Sequence, residues 1–272
     1  FTVFPATRSF YCFGCGAGGD VISFVMKAEN LDYPSAVELL AQRVGVKIPE
    51  DDRRTYGGMK NDDGVSRRRI FAMNLEAAKF FRACLFDPKI GAEGMRYLRE
   101  RQLSGATIKH FGLGFSPNGF GALTDYMHSK GFSDEELITG FLCGKSQKTG
   151  KGYDYFRNRV MFPIIDTTGN VVAFGGRVMD GSKPKYLNTS DTPGFKKSRS
   201  LFALNYAKDA GKDEFILCEG YMDVIALHAA GFTNAVATLG TAITPEQARI
   251  MAKYVKKVVI SYDNDDAGQR AA

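Results

Sequence analysis

FILCEGYMDVIALHAAGFTNAVATLGTAITPEQARIMAKYVKKVVISYDNDDAG, residues 215–268, is the stretch that decides the fold. Phe215–Cys218 is a short apolar run of strand type. Tyr221–Ala230 follows as a helix and stops at Gly231, a residue that tolerates the left-handed position past a helix end. Ala235–Leu239 is a second strand. Thr244-Pro245-Glu246-Gln247 has the form of a capping box with proline at the first helical position, so a helix is expected from there to about Tyr254. Val258–Tyr262 is a third strand. Strand, helix, strand, helix, strand predicts an α/β domain with a parallel sheet and right-handed crossovers.

Sheets of this kind bind ligands at the carboxyl ends of their strands. Glu219 falls there after the first strand, and Asp263 and Asp265 fall there after the third. Gly220 and Gly268 follow the two clusters and permit close approach of a phosphate or a metal. Three carboxylates on one rim repel one another unless a divalent cation holds them, and hard oxygen ligands suit Mg²⁺. Such sites assist phosphoryl and nucleotidyl transfer. Asp223, on the helix after Glu219, is either a further ligand or an ordinary first-turn acid favoured by the helix dipole.

Upstream, Val160–Ile165, Val171–Phe174 and the segment around Arg177–Met179 read as strands joined by turns, Asp166–Gly169 among them. Arg67–Leu85, Ala92–Arg101 and Thr107–Gly112 read as helices, and Phe115–Lys151 as a turn, one or two helices and a loop. Nearer the start, Asp20 caps a helix over Val21–Glu29, and Tyr33–Val46 is a second helix with Ser35 as its expected N-cap. Polar residues 49–65 form a linker.

The 272 residues suggest about two domains, with 44% hydrophobic and 24% charged residues excluding wholesale disorder. No apolar run approaches the length of a membrane span, and no signal peptide is visible. Five cysteines, an odd number, argue against a disulfide framework and for a reducing compartment. The net charge of +6 permits a polyanionic partner. It is unevenly spread: residues 177–199 carry six basic and two acidic residues, whereas 213–272 carry eight acidic and five basic. A basic segment beside an acidic one is the layout expected where phosphates meet metal ions.

EGYMDVIALHAAGFTNAVATLGTAIT (219–244) with VVISYDNDDAG (258–268) closely resembles the Toprim domain in the version found in bacterial DnaG-type DNA primases. The resemblance implies a Rossmann-like parallel sheet whose Glu219, Asp263 and Asp265 carry catalytic Mg²⁺ or Mn²⁺, with Asp223 a secondary candidate. FRNRVMFPIIDTTGNVVAFGGRVMDGSKPKYLNTSDTPGFKKSRSLFAL (156–204) is similar to the basic subdomain that precedes Toprim there. It implies nucleic-acid or nucleotide contacts from Arg157, Arg159, Lys185, Asn188, Lys197 and Arg199, as sequence-independent neutralisation of phosphate charge. Tyr186 either stacks on a base or faces the core, and the core is the commoner fate.

Cys12-Phe13-Gly14-Cys15 is a Cys-x-x-Cys knuckle, and a tetrahedral zinc site needs two ligands more. His110, His128 and His228 are far along the chain, and Cys84, Cys143 and Cys218 sit in apolar contexts. In the family a Cys-x-x-His pair lies upstream, which implies that Cys12 and Cys15 are half of a zinc ribbon. The segment 14–19 also matches G-x-G-x-x-G, but helical periodicity follows where a dinucleotide fold needs a second strand, so a nicotinamide site is rejected.

The expected organisation is therefore a partial zinc ribbon with helices over 1–50, a linker over 51–66, an α+β primase subdomain over 67–212 and an incomplete α/β Toprim domain over 213–272. The resemblance implies a cytoplasmic, nucleoid-associated bacterial DNA primase. Such an enzyme makes short RNA primers from ribonucleoside triphosphates on single-stranded DNA, and meets the replicative helicase through a carboxyl-terminal domain absent from these residues. Another Toprim enzyme, a topoisomerase or a nuclease, is the alternative. The start at Phe1 and the stop after an acidic cluster read as a fragment cut at both ends.

Overall fold

The computed structural model describes residues 1–29, 33–46, 65–146, 150, 152–240 and 242–263. The predicted linker, apart from Val65 and Ser66, lies outside the described residues, as does Asp265. The chain divides into two compact units, 1–60 and 61–272.

The first unit holds β1 (Thr2–Phe4), β2 (Ser9–Tyr11) and β3 (Gly18–Asp20) in an antiparallel sheet of order β1-β2-β3. Helix α1 (Val21–Ala28) is capped as expected, the Asp20 carboxylate accepting from the Ser23 N–H at 2.7 Å. Helix α2 (Tyr33–Arg43) starts two residues before Ser35, so Ser35 lies within the helix and not at its cap.

The second unit opens with α3 (Arg67–Phe86), whose cap is Ser66 Oγ accepting from the Arg69 N–H. Ile70, Met73, Ala77, Phe81 and Leu85 recur at three- and four-residue steps on its buried face. Next come α4 (Ala92–Glu100), α5 (Gly105–His110), β4 (Gly114–Ser116), α6 (Ala122–Ser129) and α7 (Asp134–Thr139). Helix α5 begins two residues before the predicted Thr107 because Ser104, not a later residue, caps it.

After the hairpin β5 (Cys143–Lys145) and β6 (Gly152–Asp154), the chain enters β7 (Arg159–Ile165), β8 (Val171–Val178) and β9 (Tyr186–Asn188). These join β4 in an antiparallel sheet of order β4-β7-β8-β9. Strand β8 is continuous where the sequence suggested two pieces broken at Gly175 and Gly176. The glycines mark close approach instead: a Cβ on Gly175 would lie 2.5 Å from the Tyr221 ring, and one on Gly176 would lie 2.9 Å from Phe156.

The sheet is buried on both faces. Val160, Phe162 and Ile164 of β7 enter one core with Phe202, Tyr221 and Val224, while Met161 enters a second core with the apolar face of α3. Helix α8 (Leu204–Ala207) then leads into β10 (Glu214–Cys218), α9 (Tyr221–Ala229), β11 (Ala235–Ala237), α10 (Pro245–Met251) and β12 (Lys257–Ser261). The last three strands are parallel, in the order β11-β10-β12. Gly231 has φ +93°, the left-handed value read from the sequence, and Thr244 and Gln247 form the expected capping box. No helix among the described residues is long and apolar enough to cross a membrane.

Candidate active site at the carboxyl rim

With strands in the order β11-β10-β12, the chain passes from β10 to β11 on one side and then crosses back past β10 to β12 on the other. The carboxyl ends of β10 and β12 are therefore neighbours on the rim where open α/β sheets bind their ligands. Glu219 follows β10 directly, and Asp263 follows β12 after one residue. Pairing of Cys218 with Ser261 brings the two acids together, and Glu219 Oε1 accepts from the Asp263 N–H at 3.0 Å. Forty-four positions of sequence separation thus collapse to one hydrogen bond.

Asp223 sits in the first turn of α9 and accepts the Gly220 N–H at 3.1 Å, so it serves its own helix terminus. Burial raises its pKa, and the charge of Asp263 raises it further, while Arg101 pulls the other way. The rim is thus an all-oxygen carboxylate set short of counter-charge, which suits a hard divalent cation. Among the described residues no three His, Cys, Asp or Glu side chains form a ready metal cluster.

The basic block divides into two kinds of residue. Lys185, Lys197 and Arg199 have no side-chain hydrogen-bond or ion-pair partner among the described residues. Arg157 donates to the Asp154 carbonyl and lies over the rings of Phe120, at 4.8 Å, and Tyr153, at 5.6 Å. Arg159 is 6% exposed. Its Nη1 donates to the carbonyls of Gly176 and Pro184 at 3.0 Å and of Lys185 at 3.4 Å. Desolvation pushes its pKa down, yet a guanidinium stays charged, so the cation is spent on holding the segment that carries Lys185.

Asn188 is committed too. Its Nδ2 donates to the Leu239 carbonyl at 2.9 Å, and its Oδ1 accepts from the Tyr221 hydroxyl at 2.8 Å. Asn188 pairs across the sheet with Gly175, whose missing side chain admits the Tyr221 ring, stacked on Phe162 at 4.9 Å. Strand β9, which directly follows Lys185, is thereby latched to the carboxyl rim. Tyr186 is partly buried against the same core, and desolvation pushes its hydroxyl up to about 12.

Three further residues here carry no local sequence signal. Arg177 and Arg101 lie 4.1 Å and 5.4 Å from the centroid of one ring, that of Tyr97. Arg177 Nε and the Tyr97 hydroxyl are buried without a hydrogen-bond partner among the described residues. Only the tertiary fold brings α4 to this end of β8.

In the first unit, the knuckle closes through the Gly16 N–H donating to the Cys12 carbonyl at 2.8 Å. The Cys15 backbone N–H, then the Cys15 thiol and the Gly14 N–H, hold the Cys12 pKa below the ordinary thiol value. Donors converging on a thiolate are what a zinc knuckle requires, so the two sulfurs fit half of a tetrahedral site.

Comparison with known proteins follows the same division. Residues 1–56 match the family model for the CHC2 zinc finger, 80–208 that for the DNA primase catalytic core, N-terminal domain, and 216–272 that for Toprim-like domains. The RNA polymerase domain of Mycobacterium tuberculosis primase DnaG is 35% identical with a TM-score of 0.70, over 76% of this chain and 70% of that one. The chain belongs to the DnaG-type DNA primase family. Its α+β subdomain and Rossmann-like Toprim sheet are those of the family. A DnaG primase catalytic domain bound to single-stranded DNA is 34% identical with a TM-score of 0.69, over 75% of this chain and 64% of that one. The DNA primase of Clostridium acetobutylicum is 43% identical over 272 residues, which is 100% of this chain and 44% of that protein. The chain thus spans less than half the length of the curated relatives it matches.

Proposed function

We propose that these residues are the core of a DNA primase, which synthesises short RNA primers on single-stranded DNA by metal-dependent nucleotidyl transfer. The observation that carries the reading is the hydrogen bond from Asp263 to Glu219 at the carboxyl rim, beside a basic segment latched to the same rim through Asn188. Membership of the primase family and the single-stranded DNA bound by a relative support it. In this reading residues 67–212 form the basic wall and 213–272 the acidic rim.

Glu219, Asp263 and Asp265, with Asp223 as a further candidate, would hold Mg²⁺ or Mn²⁺, which when bound polarises phosphate oxygens and activates the attacking hydroxyl. Lys185, Lys197 and Arg199 neutralise template and triphosphate charge, Lys as a point charge and Arg as a planar fork. Arg157 adds a cation beside two aromatic rings. Arg159 and Asn188 act through the backbone they hold. The 3′-hydroxyl of one ribonucleotide attacks the α-phosphate of the next, and pyrophosphate leaves. Cys12 and Cys15 supply two ligands of a zinc ribbon. A replicative helicase is the expected partner of the whole protein, in the bacterial cytoplasm.

The test is de novo primer synthesis from ribonucleoside triphosphates on single-stranded DNA by the full-length protein with Mg²⁺. Glu219→Gln or Asp263→Asn is expected to reduce it at least about 100-fold, the scale of losing key electrostatic stabilisation. Undiminished synthesis would remove the rim from the mechanism. Relaxation of supercoiled DNA without nucleotides would point to a topoisomerase instead.

A further inference from the structure

The turn that carries Lys197 and Arg199 is a single 3-10 turn, an element with little stability of its own. Its backbone carbonyls need partners, and most come from a helix some fifty residues later. Gln247 Nε2 donates to the carbonyl of Lys197 at 3.1 Å and to that of Ser200 at 2.8 Å. The Thr244 hydroxyl donates to the Ser198 carbonyl at 2.7 Å. From the other side, Asp191 Oδ1 accepts the Lys197 N–H at 3.0 Å.

The same two side chains also cap α10. Thr244 Oγ1 accepts the Gln247 N–H at 3.1 Å, and Gln247 Oε1 accepts the Thr244 N–H at 3.0 Å. The Thr244 hydroxyl accepts one bond and donates another, and the Gln247 carboxamide uses its oxygen on the cap and its nitrogen on the turn. Gln247 is fully buried, so none of this is exchanged with water. Capping α10 needs only the acceptors. The donors are surplus to the helix and are aimed at the turn.

We propose that Gln247, with Thr244, is a positioning residue that holds Lys197 and Arg199 in the geometry in which they contact nucleic-acid phosphates. The inference rests on the proposed function, in which those two cations neutralise phosphate. The carbonyls bound belong to residues 197, 198 and 200, so the clamp spans both cations while leaving their side chains free of partners among the described residues.

The experiment measures single-stranded DNA affinity of the full chain against salt. Each phosphate contact adds about 0.7 to the slope of log affinity against log salt on a single strand. The double variant Lys197→Gln/Arg199→Gln is expected to make the slope shallower by about 1.4. Gln247→Met, which keeps the side-chain length and loses the donors, is expected to approach the same slope. Gln247→Glu keeps the acceptor that caps α10 and loses the donors, so it should behave alike and carries the test if Gln247→Met melts early. Adding either to the double variant should cause no further change. Parental slopes in both Gln247 variants, or effects that add to those of the cations, would overturn the clamp. An unchanged slope in Lys197→Gln/Arg199→Gln would instead overturn the reading of the cations as phosphate contacts.

Discussion

The five cysteines show how far a single residue's chemistry follows its surroundings. Burial pushes Cys84, Cys143 and Cys218 up to about 11, whereas hydrogen bonds at the knuckle lower Cys12, and Cys15 is exposed. A thiol-specific reagent at neutral pH should therefore label Cys12 and Cys15 first and the other three only on unfolding, because the thiolate is the reactive form. Mass spectrometry of the alkylated peptides checks this, and rapid labelling of Cys84 in the folded chain would contradict it. The contrast was legible in part, since Cys12-Phe-Gly-Cys15 has ligand spacing and the rest lie in apolar runs. Arg159 and Asn188 were legible only as polar positions. That their polar atoms go to carbonyls of residues 176, 184, 185 and 239 depends on partners no local pattern announces.

Helix α6 shows the same at the scale of an element. Its N-cap is Gly121, which has no side chain to cap with, and the cap comes instead from Asp154 at the end of β6. Its carboxylate accepts the N–H groups of Leu123 at 2.8 Å and Thr124 at 3.0 Å, and the Thr124 hydroxyl at 2.6 Å. Asp154→Ala should cost about 1.5–3 kcal/mol in denaturant unfolding, the range for hydrogen bonds to a charged group. Burial also raises the Asp154 pKa, against the pull of those hydrogen bonds. The folded state then binds more protons than the unfolded state between the two pKa values. Stability contributed here is greatest below the unfolded value of about 3.9 and falls as pH rises through the folded one. Asp154→Asn should flatten that decline, as urea midpoints across acid pH would show; an unaltered pH profile would contradict it. The sequence predicted a helix in this region and had no means of predicting its cap.

Across the whole molecule, the net charge of +6 conceals opposed regions, a basic block and an acidic rim. Their opposition suggests that Mg²⁺ stabilises the folded chain by relieving carboxylate repulsion. At about 100 times its dissociation constant a bound ion adds about 2.7 kcal/mol. For a unit of this size that raises the melting temperature by about 5–10 °C. Melts in Mg²⁺ against chelator should show the shift, and Glu219→Gln should abolish it; an equal shift in the variant would remove Glu219 from the site. The amino-acid sequence by itself determined the parallel α/β order, the helix caps at Asp20 and Thr244, the Glu219 and Asp263 positions and the family. Those are local or periodic properties, written in spacing and in residue type. Only the tertiary structure decided that β8 runs unbroken past two glycines, that Tyr221 fills the space above Gly175, and that Asn188 and Gln247 fasten the basic segments to the parallel sheet. Each of those depends on which carbonyl or ring lies opposite a side chain once distant segments have packed, and that is a property of the folded core.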